Sequence, residues 1–156
     1  MKLYASPLQG FTEALWRNIH HELFGGIDAY YTPFVRVEKG EFRNKDIRDI
    51  EKENNKVTCL IPQLIASTPA ELEKLVGLFL ERGYREADIN MGCPVNKVVK
   101  NEAGAKWLKD PDKIYHIVKE VTSVLDIPLT VKMRTGWSDS DLAVENALAA
   151  ESAGVS

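Results

Sequence analysis

Two rhythms alternate along this chain: short apolar runs, and longer stretches with apolar residues three and four apart. Lys2–Ala5 is the first run and ends at Ser6-Pro7; Thr12–Phe24 then has helical character, with Thr12 as its N-cap and Gly25-Gly26 as its stop. Ala29–Thr32 predicts a second strand, cut by Pro33, and the charged stretch from there to Asn55 shows no period. Val57–Ile65 predicts a third strand, apolar enough to be buried on both faces. Ser67-Thr-Pro-Ala-Glu71 opens a helix with a hydroxyl cap, an early proline and an acidic first turn; Leu72, Leu75, Val76, Phe79 and Leu80 follow at helical spacing and Gly83 ends it. Glu86–Asn90 is a fourth strand, Asp112–Val124 an amphipathic helix, Leu129–Met133 a fifth strand and Ser140–Ala153 a helix, with Val155-Ser156 the first step of a sixth strand.

Strands and helices alternating in this way imply right-handed parallel βαβ units. A doubly wound sheet and a (β/α)8 barrel both fit. No Gly-x-Gly-x-x-Gly follows the first strand, so the dinucleotide-binding open sheet loses support. A full barrel takes about 250 residues. The 156 residues here supply about five βα units, whose open strand edges could pair with another copy of the chain.

Composition places the chain among ordinary globular domains, with 44% hydrophobic and 28% charged residues. The N-terminus lacks the basic-then-apolar pattern of a leader, and nowhere do 18 apolar residues run together, so a cytoplasmic protein without membrane contact is expected. A formal net charge of -3 argues against a generic polyanion binder. Arg36, Lys39, Arg43, Lys45 and Arg48 are interleaved with Glu38, Glu41, Asp46 and Asp49, the pattern of a solvated face. Cys59 and Cys93 have no Cys-x-x-Cys spacing and His20, His21 and His116 form no ligand pattern, so no metal site is expected. Cys59, within an apolar run, is expected to be a buried strand residue.

Candidate chemistry collects at strand ends, where parallel α/β sheets bind ligands. Ala87-Asp-Ile-Asn-Met-Gly-Cys-Pro-Val-Asn-Lys97 runs a strand into a loop with Asn90, Cys93 and Lys97. Ser6-Pro7-Leu8-Gln9-Gly10 follows the first strand, Gln63 lies near the end of the third, and Lys132 and Arg134 sit at the fifth. A lysine between Val131 and Met133 in a buried strand calls for an anionic or polar partner. The Gln63 amide carries donors and an acceptor, which suits the edge of a heteroaromatic ring such as a flavin or pyrimidine, and equally suits a satisfied core amide.

Ser6-Pro-Leu-Gln-Gly-Phe-Thr12, Pro62-Gln-Leu64, Asp88-Ile-Asn-Met-Gly-Cys-Pro94, Gly104-Ala105 and Val131-Lys-Met-Arg-Thr-Gly-Trp137 together resemble the successive motifs of the tRNA-dihydrouridine synthases, in that family's order and across essentially the whole chain. The resemblance implies an FMN-binding (β/α)8 TIM barrel, of which residues 1–156 would be the N-terminal portion without the C-terminal helical tRNA-binding domain. It implies reduction of particular uridines in tRNA to dihydrouridine, with NADPH recharging the flavin. Carried over motif by motif, Cys93 is the general acid that protonates uracil C5 while hydride reaches C6. Pro7, Leu8 and Gln9 would give backbone contacts to the isoalloxazine, Gln63 would bond its pyrimidine edge and Lys132 would face the N1 and C2 carbonyl region. Asn90 and Arg134 would hold the extruded uracil or the flavin. The family's Ala-Pro-Met opening stands here as Ser6-Pro7-Leu8. Two alternatives remain: another FMN barrel acting on a free pyrimidine, similar to dihydroorotate dehydrogenase, and a catalytically empty module that self-associates through its strand edges.

Overall fold

The computed structural model describes residues 1–125 and 127–156. Five parallel strand positions follow one another in chain order. β1 (Tyr4–Ala5) pairs with β2 (Ala29–Tyr31), and β2 pairs with β5 (Leu60–Ile61). β6 (Gln63–Leu64) pairs with β7 (Ala87–Met91), and β7 with β8 (Leu129–Met133). An antiparallel hairpin of β3 (Val37–Glu38) and β4 (Glu41–Phe42) lies between β2 and β5 in the chain.

The long third strand expected over 57–65 is broken at Pro62. Proline has no N–H for a ladder, and the two halves serve different neighbours: β5 hydrogen-bonds β2, whereas β6 lies against β7. The Pro62 carbonyl still accepts from Asp88 N at 3.0 Å, so the break joins the two three-stranded sheets. Cys59 lies before β5 and is exposed, against the expectation that it is buried.

Helices α1 (Ala14–Leu23), α3 (Pro69–Glu81), α5 (Pro111–Thr122) and α6 (Ala143–Ser152) occupy the connections where helical spacing predicts them, with ends shifted by a few residues. The uncharacterised charged stretch holds the β3–β4 hairpin and α2 (Asn44–Ile50), and α4 (Asn96–Lys100) follows the Cys93 loop. Thr68 caps α3 by accepting from Glu71 N, and the Glu71 carboxylate reaches back to accept from Ser67 N at 2.8 Å, one residue outside the cap, a variant of the capping box. Thr12 does not cap α1. Its hydroxyl is bonded to the Leu8 backbone, and the Ala14 N–H is accepted by the Asp49 carboxylate of α2 at 2.7 Å.

The β7 sequence alternates strictly. Ala87, Ile89 and Met91 face the helices, in one apolar core with Leu64 and Leu129 and with Leu72, Leu75, Val76, Phe79, Ile114 and Val118 from α3 and α5. Asp88 and Asn90 occupy the other face, in register with Thr130 and Lys132 of β8, while Gln63 of β6 stands beside Asp88. The period of two thus builds an apolar outer face and a polar inner one. At the C-terminus, Ser156 N donates to Leu129 O, extending the order of the sheet by one hydrogen bond. Among the described residues, no helix is long and apolar enough to cross a membrane.

Candidate active site at the strand ends

The inner face carries one continuous hydrogen-bonded row. Thr130 Oγ1 donates to Asp88 Oδ1 at 2.7 Å, and Gln63 Nε2 donates to Asp88 Oδ2 at 2.6 Å. Asn90 Nδ2 donates to Gln63 Oε1 at 2.9 Å. Asn90 Oδ1 in turn accepts from the backbone N–H groups of Gly92 and Cys93, at 3.1 and 2.9 Å. Asn90 therefore folds the chain just past β7 into an Asx-type turn and sets the start of the loop bearing Cys93.

Gly104 supports that loop from below. It has φ +60, and a Cβ there would stand 2.7 Å from the Cys93 carbonyl oxygen and 2.8 Å from Val98 Cγ1. The same carbonyl accepts from Ala105 N at 3.1 Å. Cys93 is half-buried against a small apolar cluster of Phe34, Ile65, Val98 and Ala103. Its thiol is thus carried on a turn fixed at both ends, neither sunk in the core nor loose. Lys97 does not join it; the ammonium pairs with Glu38 of the β3–β4 hairpin at 2.5 Å.

Lys132 is exposed, against the expectation of a buried lysine requiring a partner. Alternation puts it on the inner face, and there the sheet opens into a cavity of about 230 Å³ lined by Tyr4, Ser6, Pro7, Tyr31, Asp88, Thr130, Val131 and Lys132. Pro7 and Lys132 thus share one wall-to-wall space, with Gln63 behind Asp88. Leu8 and Gln9 are exposed on the adjoining loop. The Leu8 backbone is already engaged, its N–H donating to Thr12 Oγ1 and its carbonyl accepting from Phe11 and Thr12. Arg134 is exposed just beyond β8, and its backbone N lies 3.7 Å from the position of a Cβ on Gly92, so the Cys93 and Arg134 loops are neighbours.

Asp88 escaped the sequence reading. It is 2% exposed, and burial pushes its carboxyl above the ordinary value; hydrogen bonds from Gln63 and Thr130 and the charge of Lys132 pull the other way. Burial, with the Asp88 charge second, also pushes the Tyr31 phenol up to about 12, so it is a neutral donor at any physiological pH. A signal was present: a carboxylate two residues before Asn90 in an otherwise apolar run, which period-two alternation puts on the same face as that amide.

Taken together, these features define a parallel α/β protein with a polar inner face, a cation at a small cavity and a thiol on a rigid turn at the strand ends. The model of the family described as Dihydrouridine synthase (Dus) matches residues 3–156. The chain belongs to the dihydrouridine synthase family. It is 30% identical over 155 residues to tRNA-dihydrouridine synthase B of Klebsiella pneumoniae, covering 99% of this chain and 48% of that protein. It is 30% identical over 137 residues to the protein of the same name from Escherichia coli (strain K12), covering 88% of this chain and 42% of that protein. The chain therefore spans about half the length of these curated relatives. Among solved structures, the carboxyl transferase domain of Rhizobium etli pyruvate carboxylase superposes with a TM-score of 0.59 at 16% identity, over 91% of this chain and 22% of that one; this likeness concerns the fold alone.

Proposed function

We propose that this chain is the N-terminal portion of a tRNA-dihydrouridine synthase, forming the first part of a closed (β/α)8 barrel and one side of an FMN site. Five parallel strands in sequential order, with helices on one face, support the barrel; its remaining strands would pair the edges at β1 and β8. The tRNA-binding helical domain would follow outside these residues, and the enzyme would work in the cytoplasm.

The residues fit the ring of such a cofactor. The cavity beside Pro7 and Lys132 is polar on one side, and among the described residues Lys132 makes no ion pair, leaving its charge available to an anionic ring edge. Gln63 lies 1% exposed behind Asp88 and donates to it, so its part would be to hold that carboxylate at the cavity wall where the ring edge would lie. Backbone contacts would come from Pro7 and Gln9, since the Leu8 groups are occupied in their own turn. Bound FMN, reduced by NADPH, would supply the hydride that uracil C6 receives.

This chain's own part is proton delivery and orientation. The Cys93 thiol gives its proton to C5 as the C5–C6 double bond is lost, so that hydride and proton together make the saturated ring; the thiolate then regains a proton from water. Asn90, near the end of β7, and Arg134, just beyond β8, are placed to hold the uracil, which must leave its stack to reach the strand ends. The observation that carries this proposal is the Asn90-anchored turn that holds Cys93 just past the end of β7, the strand whose Asp88 lines the inner-face cavity.

The test is dihydrouridine formation in an unmodified tRNA transcript supplied with FMN and NADPH, read by mass spectrometry, with wild-type chain and Cys93→Ala. A mass gain of two hydrogens at particular uridines, reduced at least about 100-fold in the variant, is expected. Equal activity of the two would rule out Cys93 as the proton donor.

A further inference from the structure

The inner-face row of side chains has a direction. Backbone N–H groups of Gly92 and Cys93 can only donate, so Asn90 must turn its oxygen toward them. Asn90 Nδ2 then faces Gln63, which must answer with Oε1, leaving Gln63 Nε2 to face Asp88. If Gln63 turned over, nitrogen would meet nitrogen across 2.9 Å and oxygen would meet oxygen across 2.6 Å. Two hydrogen bonds would become two repulsions in a place where Gln63 is 1% exposed and water cannot make them good.

We propose that the row is pinned at both ends: Asp88 is a positioning residue which, by offering only oxygen at one end while Gly92 and Cys93 offer only N–H at the other, holds the Gln63 and Asn90 side-chain amides in one direction and, through them, supports the turn that carries Cys93. Thr130 holds Asp88 from the far side, donating to its other oxygen. An amide at position 88 could present either atom, so in that variant the backbone end alone would dictate the direction and the amide would turn its oxygen to Gln63. Because Asp88 lines the inner-face cavity and Asn90 holds the Cys93 turn, the buried row links the cavity wall to the loop that carries the thiol. The catalytic consequence rests on reading Cys93 as the proton donor; the direction of the row does not.

The experiment reverses that direction without changing shape. Asn90→Asp keeps an oxygen toward Gly92 and Cys93 but sets its second oxygen against Gln63 Oε1. Adding Asp88→Asn lets the amide introduced at 88 donate to Gln63 Oε1, so that Gln63 Nε2 can turn to the carboxylate introduced at 90. Thermal unfolding and the backbone amide NMR signals of Gly92 and Cys93 are followed in wild type, both single variants and the double variant. Asn90→Asp is expected to lower Tm by about 5 °C and displace both signals, Asp88→Asn alone to change Tm by under about 2 °C, and the double variant to recover at least about half of the loss and return both signals toward wild type. Losses that simply add in the double variant, or signals that stay displaced, would overturn the proposal. No flavin or tRNA enters this measurement, so its failure is distinct from failure of Cys93 as proton donor.

Discussion

Helix α3 buries Leu72, Leu75, Val76, Leu78 and Phe79 behind the sheet, whereas α1 buries Arg17 and leaves Leu15, Trp16, Ile19 and Leu23 exposed. Both helices follow parallel strands, α1 after β1 of the first sheet and α3 after β6 of the second, but different forces hold them. Around α3 and α5 the term is apolar burial, which brings about 25 cal/mol per Å² and tolerates some misfit. At α1 it is a fully satisfied guanidinium: Arg17 donates to Thr12 O, to the Asp49 carboxylate and carbonyl, and twice to Asn55 Oδ1, tying α1 to α2 and the turn after it. The candidate site spans the boundary, with Pro7 on the α1 side and Gln63, Asp88, Asn90 and Cys93 on the apolar-backed side. A polar staple demands geometry and gives a defined loop; an apolar backing gives a firm base for the buried amide row.

Breaking the staple is expected to have the largest effect. Arg17→Ala leaves Asp49, 11% exposed, without its cation and opens a buried space, and should cost about 4 kcal/mol in urea unfolding. Leu75→Ala, on the other side of the comparison and fully buried, should cost about 3 kcal/mol by the same measurement. Leu15→Ala, on the exposed apolar side of α1, should change stability by less than about 0.5 kcal/mol; a loss as large as that of Leu75→Ala would show that the α1 face is covered after all.

A smaller effect is the pH dependence carried by Asp88. Its folded carboxyl is raised above the ordinary value of 3.8, so the folded state holds this proton more tightly than the unfolded chain. The resulting stabilisation is complete below 3.8 and is lost as pH rises through the folded value. Relative to Asp88→Asn, wild type should therefore lose stability with rising pH from 3.8 upward and then level off. Urea midpoints of the two proteins measured across that range check the sign; a difference that grows in favour of wild type as pH rises would contradict it.

Much of this was legible in the sequence, for identifiable reasons. The Thr68 cap and helical spacing gave α3 almost to the residue, because that cap is local and needs no distant partner, and spacing alone placed α5 within two residues although its cap, Asp110, went unread. The cap of α1 was misread because its acceptor, Asp49, lies 35 residues away. Continuous apolarity over 57–65 hid the break at Pro62, which arises from pairing with two different strands. Among site residues, motif order singled out Gln63, Asn90, Cys93 and Lys132, but not that Gln63 and Asn90 bond each other nor that Asp88 anchors both. Those links depend on register between β6, β7 and β8, which no local pattern encodes.

Flavin binding tests the central claim most directly. Purified chain is mixed with FMN, desalted and examined by absorbance, alongside Gln63→Leu and Lys132→Met. The account predicts retained flavin with shifted bands in wild type and at least about a tenfold weaker retention in each variant, since one removes the cation facing the ring edge and the other the amide that holds Asp88 at the cavity wall. No retained flavin in folded wild type, or equal retention in all three, would contradict the placement of the cofactor on this inner face.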